Sequence, residues 1–331
     1  MAGTLADIRT KVRRLTRSPT QDQLPDIDID SYVNDFMLND MPEHLRIFAL
    51  RTSFSWTCQP NIDTYTTGAT ANVTALVNFN QNYITVHQPI FIAGQPAYYS
   101  EDRGEFYGRY PFVRQINQIG TGNGVIAGAY NFTLQSIPIL QNEVLISSVD
   151  INNNALSATD TPISTTTGNL VDTQTGNVLG TINYITGVLS ITFAVAPMNG
   201  VAINAQVVPY VAQRPTALLY FDDTFVLRQV PDQPYTINFD AYIRPTALLN
   251  ATDTPQLQQW WKYIAYGATK LIFEDRSDVE SVETIMPEFM NQERLVNRRT
   301  IVQQTIRRTS TIYANQVEYQ VAPWGPGDYT F

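Results

Sequence analysis

The hydrophobic period of the chain changes twice along its length. In residues 4–16 apolar side chains recur every three or four positions, which is the spacing of an amphipathic helix. From about residue 51 to residue 247, β-branched and aromatic residues alternate with polar ones, and Pro, Gly and Asn interrupt the runs every eight to twelve residues. Helical spacing returns after residue 254. The sequence therefore predicts an α+β fold, with helices at both ends and strands between them.

Start and stop signals place the helices more closely. Thr254 and Pro255 are typical of a cap and a first helical position, and Ser277 with Glu280 forms a capping-box pattern. Pro287 is expected to kink the last helix. The predicted helices cover 4–16, 27–39, a short segment that starts at Pro42 and passes His44, 255–273, and 278–308.

The middle of the chain contains a marked shift in composition. No Lys or Arg lies between Arg114 and Arg214, and Thr, Asn, Gly, Val and Ile dominate there. About 95 residues with some seven short strands suit a β-sandwich. We predict an inserted all-β, sandwich-like domain at 118–212, a host domain with helices and strands from 1–117 and 213–316, and an extended tail at 317–331 that docks on a partner.

Turn residues and β-rich runs locate individual strands. Asn183–Gly187 is expected to be a hairpin connection of the insertion, and Met198–Gly200 a second turn. The predicted strands are Tyr130–Leu134, Glu143–Val149, Gly180–Tyr184, Gly187–Phe193 and Ala202–Val211 in the insertion, and Thr224–Arg228 and Tyr235–Ile243 in the host.

Composition argues against most kinds of enzyme. The 331 residues include one cysteine, Cys58, and two histidines, His44 and His87, and no glycine-rich phosphate loop or nucleophile elbow is present. We therefore expect no catalysis, no cofactor and no metal site. Asp26, Asp28 and Asp30 are interpreted as capping and solubilising residues, since the spacing of a calcium loop is missing.

Charge and hydropathy exclude two classes of partner. The net charge of −9 disfavours nucleic-acid binding over the whole surface, because phosphates require a basic face. No run of 18 apolar residues could span a membrane, and the basic N-terminal segment lacks the apolar stretch of a secretory signal.

Basic residues are concentrated in two places. Residues 1–17 carry a net charge of +4, and a second group lies between Arg294 and Arg308. Each group is either a solvated helix face or a surface for an acidic partner, protein or DNA phosphate. Of the basic residues 18 are Arg and three are Lys, which favours bidentate carboxylate pairs at subunit contacts.

Three stretches resemble a known family. They are 7–16 followed by Ile29–Asn34, then Asp222–Leu227 with Gln258–Arg276 (containing Trp260–Ala268), and Gly180–Phe193 with Ala196, Pro197 and Gly200. With helices at both ends and β structure between, they resemble the head-to-tail adaptor (connector or neck) proteins of tailed bacteriophages. The third stretch is similar to small β domains of phage tail and baseplate proteins.

The resemblance implies a ring, commonly a dodecamer, beneath the portal protein. Genomic DNA would pass through the ring without sequence-specific binding, tail or tail-terminator proteins would lie below it, and the inserted sandwich would form a collar outside it. The chain would be found in the virion neck, and in the host bacterial cytoplasm during assembly. The residues expected to dock on the portal or a neighbour are Trp324, Tyr329, Phe331, Arg9, Arg13 and Arg14, and those expected at the subunit interface are Arg294, Arg298 and Arg299.

Two other functions stay open at this point. The chain could be another structural component of a phage tail or baseplate. Alternatively, the β insertion could be a glycan-binding module or a glycan-active enzyme. A glycosidase needs two neighbouring carboxylates, and the insertion offers only four acids, Glu143, Asp150, Asp160 and Asp172.

Overall fold

The chain forms two compact units. A computed structural model describes residues 3–41, 50–126, 128–255 and 260–305, and for 299–305 the backbone alone. One unit comprises Met1–Arg51 and Arg244–Phe331, and the other comprises Thr52–Ile243. The sequence predicted boundaries at 117/118 and 212/213 instead. Both helices and sheets are present, so the predicted α+β class is confirmed.

The helices fall at both chain ends and in short pieces between strands. Helix α2 continues into a π-helical turn, Phe36–Asp40, and a 3-10 turn covers Thr74–Leu76. The α-helices are α1 (Leu5–Leu15), α2 (Asp26–Asp35), α3 (Phe79–Asn82), α4 (Arg103–Arg109), α5 (Trp261–Asp275) and α6 (Val279–Thr305).

Side-chain caps explain where two of the helices begin. The Thr4 hydroxyl accepts a hydrogen bond from the Asp7 amide at 3.3 Å, and the Asp7 carboxylate accepts one from the Thr4 amide. This capping box starts α1 at Leu5, within one residue of the predicted helix limit. At α6 the prediction was wrong by one residue: the Asp278 carboxylate caps the helix by accepting from the Ser281 amide at 3.1 Å. Ser277 has a positive φ of 55° and belongs to the preceding turn.

The other predicted helix limits have mixed outcomes. The predicted helix 27–39 corresponds to α2 together with the π-helical turn that follows it. Helix α5 begins at Trp261, later than predicted, and residues 256–259 before it lie outside the described part of the chain. The short helix predicted to start at Pro42, with His44, and the tail 317–331 also lie outside it.

An aromatic cluster packs α2, α5 and α6 together. Phe36 meets the ring of Tyr263 edge-on at 5.2 Å and that of Phe289 at 6.0 Å, while Phe289 stacks on Tyr263 at 5.3 Å. Gly267 leaves the space that the Phe36 ring fills, since a Cβ there would lie 2.3 Å from the ring. The helical unit therefore closes around a specific fit rather than a loose apolar layer.

A seven-stranded sheet forms one half of the second unit. Its strand order is β1-β15-β3-β4-β13-β14-β2, with β13 parallel to β4 and antiparallel to β14. Phe79, Phe225 and Phe239 lie at the centre of its apolar core. The strands are β1 (Arg51–Thr57), β2 (Thr64–Thr66), β3 (Tyr83–Ile92), β4 (Gln95–Ser100), β13 (Ala217–Phe221), β14 (Thr224–Arg228) and β15 (Thr236–Ile243).

The other half is an eight-stranded sheet with the order β5-β12-β7-β8-β9-β10-β11-β6. The sheet is continuous and curls like a barrel, so that the first and last strands meet: a Cβ on Gly120 would lie 3.3 Å from Tyr130. Its strands are β5 (Gln115–Thr121), β6 (Tyr130–Thr133), β7 (Leu145–Val149), β8 (Ala155–Pro162), β9 (Thr167–Asp172), β10 (Val178–Asn183), β11 (Val188–Ile191) and β12 (Ala202–Val207).

The curled sheet replaces the predicted sandwich. A sandwich needs two facing sheets, whereas here every strand pairs with the next and bulges increase the coiling. Both predicted turns of this segment are confirmed. Asn183 accepts from the amides of Ile185 and Thr186, Gly187 follows with φ 71°, and Gly200 has φ 83°.

Candidate partner-binding surfaces

The basic face of α1 is partly used inside the helical unit. Arg9 donates from Nε and Nη2 to the two carboxylate oxygens of Asp30, at 2.7 and 2.5 Å. Arg13 donates from Nη2 to Asp26 at 2.5 Å and to the Leu24 carbonyl at 3.0 Å. We call Arg9, Arg13, Asp26 and Asp30 the α1–α2 ion network. It fixes one helix against the other through charge-assisted, partly bidentate hydrogen bonds.

Partial burial strengthens this network. The Arg9 and Arg13 side chains are each 15% exposed, and Asp30 is 20% exposed. The hydrogen bond to Asp30 raises the pKa of Arg9, against the opposing effect of its burial. These two arginines, predicted to dock on a partner, therefore already bind carboxylates of their own unit.

Arg14 has the free guanidinium that partner docking requires. It is exposed, as is Arg17, and neither makes an ion pair within the described residues. Lys11, between the two network arginines, instead places its ammonium over the Tyr266 ring at 5.2 Å. Of the three α1 residues that sequence analysis assigned to docking, only Arg14 presents an unpaired charge to solvent.

The predicted subunit-interface residues lie on α6. Arg294 and Arg298 are exposed, and the side chain of Arg299 lies outside what the structure describes. Trp324, Tyr329 and Phe331, the predicted docking residues of the tail, lie outside the described residues altogether. Their roles stay predictions.

The second unit contains a buried ion pair that sequence analysis missed. Arg228 at the end of β14 donates from Nη1 to Asp63 at 2.6 Å, and both side chains are 9% exposed. Its guanidinium also lies 4.2 Å from the centre of the Phe112 ring, so the second amino group faces an aromatic surface. The partners are 165 residues apart. No local spacing could have revealed the pair.

Two clefts open on this unit. One, of about 200 Å³, is apolar except for Arg228 and Gln residues. Glu143 lies nearby, and burial raises the pKa of its carboxyl group. The other, of about 370 Å³, carries three carboxylates beside two aromatic rings. Their linings are Phe112, Val113, Leu140, Tyr210, Val211 and Arg228 for the first, and Glu101, Tyr220, Phe221, Asp222 and Asp223 for the second.

The carboxylates of the larger cleft have structural tasks. Glu101 accepts a hydrogen bond from the Tyr99 hydroxyl at 2.8 Å, and Asp223 accepts one from the Asn80 amide at 2.8 Å. Asp222 and Asp223 form the tight connection between β13 and β14, both with positive φ. The cleft is thus built by groups that hold a hairpin in place.

The described residues contain neither a metal-binding cluster nor a membrane-spanning helix. Across the described ranges, no three His, Cys, Asp or Glu side chains converge as a metal site would require. None of the helices in those ranges combines the length and apolar character needed to cross a bilayer.

Comparison with known proteins gave no relative. No family model matches the chain, and no curated protein matches it significantly.

Proposed function

We propose that the chain is a structural subunit of a phage neck: a head-to-tail adaptor that forms a ring, joins the portal to the tail and lets DNA pass. The observation that carries the proposal is the chain organisation. Both chain ends contribute to one helical unit, and all of 52–243 forms a β unit between them. This is the organisation that the resemblance in residues 7–34, 222–276 and 180–193 implies.

The connections into the β unit suit an inserted module. The Cys58 amide donates to the Tyr235 carbonyl, so the end of β1 lies beside the start of β15. The start of β1 and the end of β15 therefore lie side by side, where the chain enters and leaves. Adjacent ends are typical of tolerated insertions. We propose that the helical unit forms the ring and that the β unit forms the collar.

Charge supports a conduit rather than a DNA-binding protein. The net charge of the chain is −9; Arg14, Arg17, Arg294 and Arg298 are exposed in the helical unit, whereas the exposed Arg103, Arg109 and Arg114 of the β unit lie against aromatic rings or Glu143. A net acidic chain attracts DNA phosphate weakly, so that a duplex would slide instead of adhering. The basic residues are then available for acidic protein partners. We accordingly propose action by contact, without catalysis.

The direct test is assembly with a portal ring. Mass photometry would measure the mass of the purified full chain, alone and mixed with portal. Negative-stain electron microscopy would image the same samples. We expect the mixture with portal to contain rings of a single size that bind one face of the portal. A chain that never exceeds a dimer and never binds portal would contradict the proposal.

A pair of variants makes the test specific to α1. We expect Arg14→Glu to weaken portal binding at least about tenfold without a change in melting temperature, since a like charge facing an acidic partner repels it. Arg9→Ala, in contrast, should lower the melting temperature because it breaks the α1–α2 ion network. Equal portal binding by Arg14→Glu and the wild type would assign Arg14 to solubility.

A further inference from the structure

The outward face of α6 carries an ordered pattern of charge. Phe289, nine residues from both Glu280 and Arg298, packs inward on Phe36 and Tyr263. Nine residues are two and a half helical turns, so Glu280 and Arg298 both lie on the side opposite Phe289. Glu283 and Arg294 lie on that same side, and Met290, about 100° round the helix from Phe289, lies at its edge. We call these five residues, Glu280, Glu283, Met290, Arg294 and Arg298, the outer stripe.

The outer stripe has no partner among the residues that the structure describes. All five side chains are exposed, Met290 by 45%, whereas Ile285 and Val296 of the same helix are buried. No hydrogen bond or ion pair joins the four charged side chains to any other described residue. Their charges are therefore unmatched within the described part of the chain.

The charges are separated along the stripe. Glu280 and Glu283 lie in its first turn, Arg294 and Arg298 in its last turns, and the exposed Met290 lies between the two groups. From 280 to 298 the stripe is about 27 Å long. An antiparallel copy of the same stripe presents the opposite order of charges.

The spacing makes that antiparallel match close. The midpoint between positions 280 and 298 is 289, and the midpoint between 283 and 294 is half a residue earlier. A two-fold axis near residue 289 therefore places Glu280 of each copy opposite Arg298 of the other. The same axis places Glu283 of each copy opposite Arg294 of the other. Met290 of each copy comes next to the axis and is covered. A parallel pair would instead set like charges against each other.

We propose that the outer stripe of α6 is a homodimerisation surface, on which a second copy of this chain docks antiparallel about residue 289. Such a contact uses the same patch on both chains, so it forms a closed dimer. It goes beyond the proposed ring, which requires a head-to-tail surface, and it assigns Arg294 and Arg298, which the resemblance places at the subunit interface of the ring, to a two-fold contact instead. Dimerisation and ring formation can therefore fail independently of each other.

Charge exchange tests the pairing. Sedimentation of the full chain should show a dimer whose dissociation constant rises at least about tenfold between about 0.05 M and about 0.5 M salt. The variants Glu280→Arg/Glu283→Arg and Arg294→Glu/Arg298→Glu should each be monomeric, and an equimolar mixture of the two should form heterodimers. Asp22→Arg/Asp28→Arg, which changes the net charge by the same amount as the first variant, should still dimerise.

Site-specific cross-linking tests the geometry. With a short bismaleimide linker, Met290→Cys should cross-link efficiently, because the two copies of this position lie beside the axis. Val279→Cys, also exposed, should not, because its two copies would be about 30 Å apart along the helices. Native Cys58 is 1% exposed and should not react.

Three outcomes would overturn the proposal. They are a wild-type chain that stays monomeric at low salt, reversal variants that dimerise like the wild type, and a mixture of the two reversal variants that stays monomeric while the wild type dimerises. Rings that form with portal in the Glu280→Arg/Glu283→Arg variant would leave the proposed neck function intact.

Discussion

Asp30 holds helix α1 against helix α2 through both of its carboxylate oxygens. In an Asp30→Asn variant the amide nitrogen faces one of the two Arg9 donors, so one hydrogen bond and the ion pair are lost. We expect the free energy of unfolding to fall by about 1 kcal/mol, a value reduced for solvent screening of a partly exposed pair. Urea unfolding of the full chain measures it.

Asp28→Asn is the matched control, because Asp28 lies on the same helix and is exposed outside the network. It should change the stability little. Equal losses from Asp28→Asn and Asp30→Asn would mean that net charge, and not the Arg9 contact, accounts for the effect.

Asp150 gives an acid-dependent prediction. The side-chain amide of Asn154 and the backbone amides of Asn152 and Asn154 donate to its carboxylate, and these hydrogen bonds hold its pKa below the usual range. Because the pKa is lower in the folded state than in the unfolded state, the ionised carboxylate stabilises the fold at pH values above the unfolded-state pKa of about 4. This stabilisation is lost as the pH falls through the folded-state pKa. Asp150→Asn should therefore be less stable than the wild type at pH 7.

The difference in free energy of unfolding between the two proteins should shrink as the pH falls below about 4 and the wild-type carboxylate takes up a proton. Chemical unfolding at pH 7 and at a series of lower pH values measures the difference. A difference that is the same at every pH would show that the charge of Asp150 does not contribute.

Single residues differ in how far the sequence predicted them. A cysteine close to Trp56 predicts a small packed side chain, and the burial of Cys58 is confirmed. The α1–α2 ion network was missed although a signal existed: Arg9 and Arg13 are four residues apart, as are Asp26 and Asp30. The Arg228–Asp63 pair left no such signal, because tertiary structure alone brings its partners together.

Helix α5 contacts Phe36 at Gly267. This close approach predicts whether a substitution at Gly267 raises or lowers the free energy of unfolding. A Cβ at Gly267 would lie 2.3 Å from the Phe36 ring, so Gly267→Ala should force the ring out of place and cost about 1–3 kcal/mol. That loss outweighs the roughly 1 kcal/mol that alanine gains over glycine in a helix. The free energy of unfolding is the measurement.

Gly108 of α4 is the control for this helix effect. Nothing lies within 4 Å of a Cβ built there, so Gly108→Ala should be neutral or slightly stabilising. If Gly267→Ala also stabilised the protein, the packing of Phe36 on α5 would not limit the fold.

Among whole elements, the strands with strong alternation were predicted well and the polar ones were not. Thr224–Arg228 has its predicted limits, and Tyr235–Ile243 is within one residue of β15. Strands β8 and β9 were missed because ALSATDTP and TGNLVD contain few large apolar residues. The sheet around them supplies their hydrogen bonds and buries Ala158 and Leu170, and this context overrides weak propensity.

The whole molecule is divided in a way that composition did not reveal. The loss of basic residues after Arg114 marks the start of the eight-stranded sheet, which β5 opens at Gln115. The seven-stranded sheet, however, belongs to the same compact unit, and the boundary with the helical unit lies at 51/52 and 243/244. The number of charged residues depends on the surface, whereas the limits of a compact unit depend on its apolar core. The boundary in composition and the boundary between compact units therefore need not coincide.

This division predicts that 52–243 folds when it is expressed alone. Both sheets and their two apolar cores lie within this segment, apart from Arg51 at the start of β1, and its ends leave from neighbouring strands. A self-contained core of this length is expected to unfold cooperatively. Circular dichroism of the fragment should show a β spectrum and a single thermal transition. The predicted insertion 118–212 gives the contrast, because that fragment lacks Gln115–Asn117 of β5 and loses contacts with the rest of the unit. The hydrogen bond from Tyr210 to Asn61 and the ion pair of Glu143 with Arg114 join 118–212 to residues outside it. We therefore expect 52–243 to melt at a higher temperature than 118–212 alone, and equal melting temperatures would mean that the two sheets fold independently.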